Sequence, residues 1–434
     1  MGSISEAPSF QQKRQTTSLF SSLPSTPLDE PFSVNGAYIQ DSHPHKVNLG
    51  IGVYRTEYGA PWPLRVVEDA EKELYDAKNV SRHEYLAIQG DREFLQLAAD
   101  LVFGFENGKS SDPAMVEDQR KRVVSVQTVS GTGANRLGAE LLARNIRPGC
   151  VWVPDPTWAN HHTIWELAGV ERKTYPYYDS VSQSFNFEGT IRTLSESARK
   201  NDIVILHACA HNPTGADPSK EQWEALAKLC NAKGLIPFFD LAYQGFASGD
   251  VNKDAWAIRR FFNDTHTPEF CVAQSFSKNF GLYGQRVGAL HVVTRPAVHE
   301  VTEELRANLC HLIRGEYSMA PRGGAEIVRT VLADERLRER WFEDLTTMSQ
   351  RIQRMRHTLY NEMLRLKTPG DWKHIVSQIG MFTYIGLSEP QVSAIREKYH
   401  IYMLKSGRIS ISGLNEGNVE YVAQAIEDVV RTIK

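Results

Sequence analysis

QSFSKNFGLYGQRVG, Gln274 to Gly288, is the stretch on which the reading of this chain turns. It follows a short apolar run, Phe270 to Ala273, which predicts a buried strand. Serines and small residues crowd around one lysine, Lys278, and an arginine, Arg286, follows eight residues on. A serine-lined turn ending a strand is where α/β proteins place ligands. Lysine is the side chain that forms a Schiff base with an aldehyde, pyridoxal phosphate among them. An arginine close by can hold a phosphate through paired hydrogen bonds. A turn lysine paired to a carboxylate is the competing reading, and this stretch by itself leaves both open.

Other segments repeat the pattern of strand, polar end and helix. RVVSVQTVSGTGANRLGAELLARN, Arg122 to Asn145, predicts a strand, a glycine turn and a helix, with Ser130, Gly131 and Thr132 at the helix start. Backbone N–H groups and hydroxyls at a helix N-terminus suit a phosphate. A dinucleotide fingerprint fits Gly131 and Gly133, but its third glycine falls at Arg136, which weighs against a nicotinamide dehydrogenase. CVWVPDPTWANH carries Trp158 and His161 at its polar end. DIVILHACAHNPTG ends in Asn212, and LIPFFDLAYQGFASG places Asp240 and Tyr243 just past an apolar run. Strands alternating with helices predict an α/β fold with a mostly parallel sheet and a site along one edge.

The flanks read differently. Met1 to about Glu30 is rich in Ser, Thr, Gln and Pro and predicts a loose arm; Lys13 and Arg14 give it a slight positive bias, and Glu6 argues against a mitochondrial presequence. KVNLGIGVYRTEYGAPWPL, Lys46 to Leu64, holds Gly50 and Gly52, which permit close backbone approach. Val66 to Lys78 has helical spacing, and a second helix follows HEYL, with Tyr85 at its entrance. From about Val298 the chain predicts helices, one of them ending near Arg314 and a long one over Ala333 to Leu366. Short strands are expected around GMF, Tyr402 to Leu404 and GRISISGL, then a closing amphipathic helix. This tail suggests a smaller α+β domain.

The bulk numbers bound the function. With 434 residues the chain predicts two domains. A net charge of −3, from 49 basic and 52 acidic side chains, gives no nucleic-acid or acidic-membrane footprint. No apolar run approaches the roughly 20 residues of a membrane helix. Five scattered cysteines, at positions 150, 209, 230, 271 and 310, fit a reduced compartment and have no metal spacing.

Taken in order, NLGIGVYR, HEYL, SGTGANR, PDPTWANH, HACAHNPTG, FFDLAYQGFASG, SFSKNFGLYGQRVG, GMF and SGRISISGL resemble the aspartate aminotransferase family, fold-type I pyridoxal-phosphate enzymes, from about Lys46 onward. The resemblance implies that Lys278 binds the cofactor aldehyde and later moves the proton at the substrate α-carbon. It implies Asp240 at the pyridinium nitrogen, Tyr243 and Asn212 at the phenolic oxygen, and Trp158 stacked on the ring. Ser130, Gly131, Thr132, Ser275 and Arg286 would cup the phosphate, with Tyr85 reaching it from the other subunit. Arg408 would take the substrate α-carboxylate, Arg314 of the other subunit the distal one, and Gly52 would lie beside the substrate. His161 and His207 read as supporting or core histidines.

The implied protein is a homodimer with shared sites and no metal. Its expected compartment is the cytoplasm, with the mitochondrion as the alternative. Its expected domains are an arm over 1–30, a small domain over 31–61 and 347–434, and a large domain over 62–346. The implied reaction is ping-pong transfer from L-aspartate to 2-oxoglutarate, giving oxaloacetate and L-glutamate. Three departures bear on the substrate: Met319 and Ala320 after Arg314, Gly284 and Gln285 before Arg286, and a polar Pro31 to Lys46 segment. They keep open another amino donor, or elimination or decarboxylation on the same scaffold. A silent paralogue acting as a binding subunit is the non-enzyme alternative.

Overall fold

The computed structural model describes residues 18, 20–24, 26, 29–77, 83–105, 113–264, 269–295 and 301–433. Most of the arm expected over 1–30, with Glu6, Lys13 and Arg14, lies outside the described residues, as does Lys78.

Seven strands form the central sheet: β1 (Val123–Val129), β2 (Val151–Asp155), β3 (Arg172–Pro176), β4 (Ile203–His207), β5 (Ile236–Leu241), β6 (Phe270–Ser275) and β7 (Val287–Val293). Their spatial order is β1-β7-β6-β5-β4-β2-β3. All neighbouring pairs are parallel except those made by β7, which runs antiparallel to β1 and β6. Every residue of β4, β6 and β7 is buried. That explains their unbroken apolar runs: helices cover both faces, so no alternation is required.

Helix Ser130–Asn145 packs on the sheet, its Ala134, Leu137 and Leu141 meeting Val124, Val126 and Phe238 in one apolar cluster. Gly138 is the point of contact, since a Cβ there would come within 2.5 Å of the Phe238 ring. The expected glycine turn at SGTG is not a separate loop. The helix starts at Ser130 itself, because that residue turns the chain in one step at φ 61°.

The long helix, Glu335–Arg365, begins later than expected because the Asp334 side chain accepts the Leu337 N–H and caps it there. Strand Ile401–Tyr402 is shorter than predicted; it pairs in parallel with Val47–Asn48. Strand Arg408–Ser410 pairs with Phe382–Tyr384, then GRISISGL breaks into a 3-10 turn over Ile411–Gly413. Pro31 to Lys46, expected only as a polar stretch, overlaps helix Glu30–Gln40, whose Val34 packs on Tyr402 and Leu404.

Candidate functional site

Strand ends and the segments after them supply the site. β1 runs into Ser130, Gly131 and Thr132; β2 leads to Trp158, β4 to Asn212, β5 to Asp240 and Tyr243, and β6 to Ser275, Ser277 and Lys278. These residues, with His207, Ala242 and Arg286, line one cleft of about 100 Å³.

At one end lies a cradle of hydroxyls. Ser130 Oγ is 2.9 Å from Ser277 Oγ and 3.3 Å from Ser275 Oγ, and the Ser277 N–H donates to Ser275 Oγ at 3.2 Å. Arg286 Nη1 donates to Ser277 Oγ at 3.2 Å and to the Tyr283 carbonyl at 3.0 Å. Backbone contacts set this geometry. The Ser130 N–H donates to the Arg286 carbonyl, and a Cβ on Gly288 would meet the Ser130 carbonyl carbon and the Gln274 carbonyl oxygen at 2.6 Å. A Cβ on Gly131 would lie 2.9 Å from Ser275 Cβ. Glycine at 131 and 288 is therefore what lets the helix start and the two strands close on the hydroxyls.

Asp240 forms the floor. Its Oδ2 accepts from Asn135 Nδ2 and lies beside His161 Nε2, both at 3.1 Å. Thr157 Oγ1 joins His161 Nδ1 at 2.9 Å to His207 Nε2 at 3.1 Å. Burial would raise the Asp240 carboxyl, but the His161 hydrogen bond and charge, with His207 and Asn135, hold it below the ordinary value. The carboxylate thus stays ionised in a dry place. Burial drives His207 well below the usual histidine range, helped by His211 and His161.

Lys278 is part-buried, its Nζ 5.8 Å from the centre of the Tyr243 ring. Burial lowers its ammonium to about 8, with Asp240 opposing and Arg286 and Arg408 adding to the fall. An amine so placed is free base about a tenth of the time at pH 7, far more than an ordinary lysine, and the free base is what a nucleophile toward an aldehyde requires.

Arg408 enters from the C-terminal strands. Its Nη2 donates to the Gly50 carbonyl at 2.6 Å, its Nη1 to Asn212 Oδ1 at 3.4 Å, and its guanidinium lies 4.3 Å from the centre of the Phe382 ring. Its buried Nε has no hydrogen-bond partner among the described residues. Gly52 packs on the same ring, a Cβ there falling 2.7 Å from the tip of Phe382.

Two expected residues lie off this cleft in their own chain. Tyr85 is 85% exposed. Arg314 is exposed and bonds Ser318 Oγ. Their segments touch each other: the Leu86 N–H reaches Met319 Sδ at 3.2 Å, and Arg322 Nε donates to the Glu84 carbonyl at 3.1 Å. Sequence reading missed Ser277 as a cradle hydroxyl and Asn135 as a partner of Asp240. The signal for Asn135 was its place one helical turn after Gly131.

The model for aminotransferase class I and II matches residues 44–426. The chain belongs to the class I and II aminotransferases. Among proteins to which this aminotransferase is similar is an L-tyrosine:2-oxoglutarate aminotransferase of Aspergillus ustus, 52% identical over 95% of this chain and 78% of that one. The cytoplasmic aspartate aminotransferase of Saccharomyces cerevisiae superposes with a TM-score of 0.90 at 41% identity, over 96% of this chain and 99% of its own. An aromatic-amino-acid aminotransferase of Burkholderia pseudomallei, covalently bound to pyridoxal phosphate, gives 0.88 at 37%, over 95% and 100%. The cofactor of this aminotransferase is pyridoxal phosphate.

The cleft fits that group. Arg286, whose pKa burial lowers, bonds only a hydroxyl and a carbonyl and faces no carboxylate among the described residues, so a phosphate here would supply the missing counter-charge. Asp240 would supply the anion that a pyridinium nitrogen needs, and Lys278 the amine for the aldehyde. When bound, the cofactor supplies an electron sink for the pair left at a substrate α-carbon.

Proposed function

We propose that the enzyme transfers the amino group of a dicarboxylic amino acid, L-aspartate with 2-oxoglutarate giving oxaloacetate and L-glutamate, in a ping-pong reaction. The observation that carries this is Arg408, a buried guanidinium with an unpartnered Nε beside Asn212 in the mouth of the Lys278 cleft. A substrate carboxylate satisfies it through two bonds. In this reading Lys278 removes the α-proton and returns it after transfer. Asp240 keeps the ring nitrogen protonated. Tyr243 and Asn212 donate to the phenolic oxygen, and Trp158 covers the ring. Ser130, Gly131, Thr132, Ser275 and Arg286 hold the phosphate.

We further propose a two-fold homodimer. Tyr85 and Arg314, remote from the cleft of their own chain, would complete the partner's site, Tyr85 at the phosphate and Arg314 at the distal carboxylate. Residues 31–61 and 347–434 are proposed to move as one domain against 62–346, with Gly50 and Gly52 carried beside the substrate. The cytoplasm is the proposed compartment, in keeping with the yeast protein.

A second reading has support of its own: L-tyrosine as donor, from the relative in Aspergillus ustus and the thioether of Met319 beside the Arg314 segment. Both readings keep 2-oxoglutarate as acceptor and both arginines. Purified enzyme given 2-oxoglutarate and each amino acid in turn, with glutamate measured, separates them. A larger kcat/KM with aspartate supports the first; a larger one with tyrosine selects the second; no glutamate from either rejects both.

A further inference from the structure

Asn212 and Tyr243 sit on irregular segments, not on strands, yet both must be aimed at one atom of the cofactor. We propose that Asp217 and Asp254 are positioning residues, each clamping the backbone of one cleft segment and so aiming the donor it carries, Asn212 or Tyr243. The proposal rests on the pyridoxal-phosphate reading of the cleft.

Each clamp is a carboxylate that accepts backbone N–H groups of its segment. Part-buried Asp217 takes the Ala210 N–H on Oδ2 at 2.6 Å and the His211 N–H on Oδ1 at 2.8 Å, one carboxylate oxygen for each. Ala210 is held at φ 48°, a left-handed conformation unusual for alanine, and Asn212 follows two residues later. Asn212 Oδ1 faces Arg408, which leaves its Nδ2 as the donor toward the cleft. Asp254 Oδ2 alone takes three N–H groups, those of Gly245 at 2.8 Å and of Ala247 and Ser248 at 3.2 Å. The Phe246 and Ala247 N–H groups in turn donate to the Tyr243 carbonyl at 3.0 Å, so the knot is tied directly to Tyr243.

Burial raises both carboxyls to about 6. Neither has a cationic partner among the described residues; backbone donors, joined at Asp254 by the Ser248 side chain, are what the carboxylates hold. A carboxylate kept where burial opposes its charge, and spent on N–H groups, serves segment geometry rather than surface charge. An asparagine at 217 presents an amide N–H₂ in place of one accepting oxygen, so one backbone donor loses its partner. At 254 its amide oxygen could replace Oδ2, and only removal of the side chain, as in Asp254→Ala, strips the three donors.

The test uses the holoenzyme. Visible absorbance of the bound cofactor is titrated against pH in wild type, Asp217→Asn and Asp254→Ala, with Tm recorded for each. A donor lost from the phenolic oxygen strengthens that oxygen's hold on the neighbouring proton, so the apparent pKa of the visible band rises. The expected rise is about half a unit or more, roughly threefold in proton affinity. Leu359→Ala, a buried change in the long helix, serves as a control of similar Tm loss and leaves the band where it was. Wild-type titrations in both Asp variants, or an equal shift in the control, overturn the proposal. If Asp217→Asn does not fold, Asp254→Ala decides the matter. A wild-type visible band that survives Lys278→Ala overturns the cofactor reading, and the proposal with it.

Discussion

His161 Nε2 and Asn135 Nδ2 meet at a single oxygen, Oδ2 of Asp240, each 3.1 Å away. Both contacts favour the ionised carboxylate that burial alone would neutralise. Asp240→Ala is therefore expected to lower kcat by about 10²–10³-fold, the usual size for one preorganised electrostatic contact. His161→Leu should act in the same direction but less, by letting the carboxyl rise toward neutrality. Steady-state kinetics at saturating substrate check both; an Asp240→Ala enzyme with wild-type kcat removes Asp240 from the chemistry.

Lys278 gives a linkage prediction in the cofactor-free protein. Its ammonium falls from 10.5 unfolded to about 8 folded. Between those values the unfolded chain holds the extra proton, so this group's contribution makes stability rise as pH climbs from about 8 to 10.5. Below 8 the fold carries the whole penalty. Lys278→Met is expected to stabilise the apoprotein at pH 7 by about 1–3 kcal/mol, after discounting for part exposure, while abolishing transamination. Urea unfolding of the two apoproteins at pH 7 and pH 10 measures it, and the difference should shrink at the higher pH.

The two arginines should separate by substrate. Arg408→Ala is expected to cost about 2–5 kcal/mol in kcat/KM for every amino acid, because every one carries an α-carboxylate. Arg314→Ala should cost that much for 2-oxoglutarate and aspartate and far less for alanine or tyrosine. Equal losses across all substrates for Arg314→Ala would mean that it does not meet the distal carboxylate.

Gly288→Ala tests the cradle from the strand side. The new Cβ would press on backbone atoms of Ser130 and Gln274, which cannot swing aside. Destabilisation of about 1–3 kcal/mol is expected, with weakened cofactor retention on dialysis. Thermal unfolding with and without added pyridoxal phosphate reads both effects.

Much of this site could be read from residue order. Strands buried on both faces carry no competing periodicity, so β4, β5 and β6 stood out as apolar runs with a polar end, and those ends are where Asn212, Asp240 and Lys278 lie. Ser277 escaped because nothing local distinguishes a hydroxyl facing Arg286 from one facing solvent. Asn135 bonds Asp240 across 105 positions, and such a pairing exists only once a helix has been laid on the sheet. The breaks at Ser130 and Ile411 were hidden for a related reason. A left-handed serine and a single 3-10 turn are imposed by neighbours rather than by local preference.

The ladder joining Val47–Asn48 to Ile401–Tyr402 has a bearing on how the enzyme is made. A chain emerging from the ribosome exposes Gly50 early, whereas Arg408, which that carbonyl must hold, is translated only near the end. Every side chain proposed for the phosphate from this chain's own cleft precedes residue 287, so a chain halted before residue 408 carries them all and lacks the guanidinium proposed for the substrate α-carboxylate.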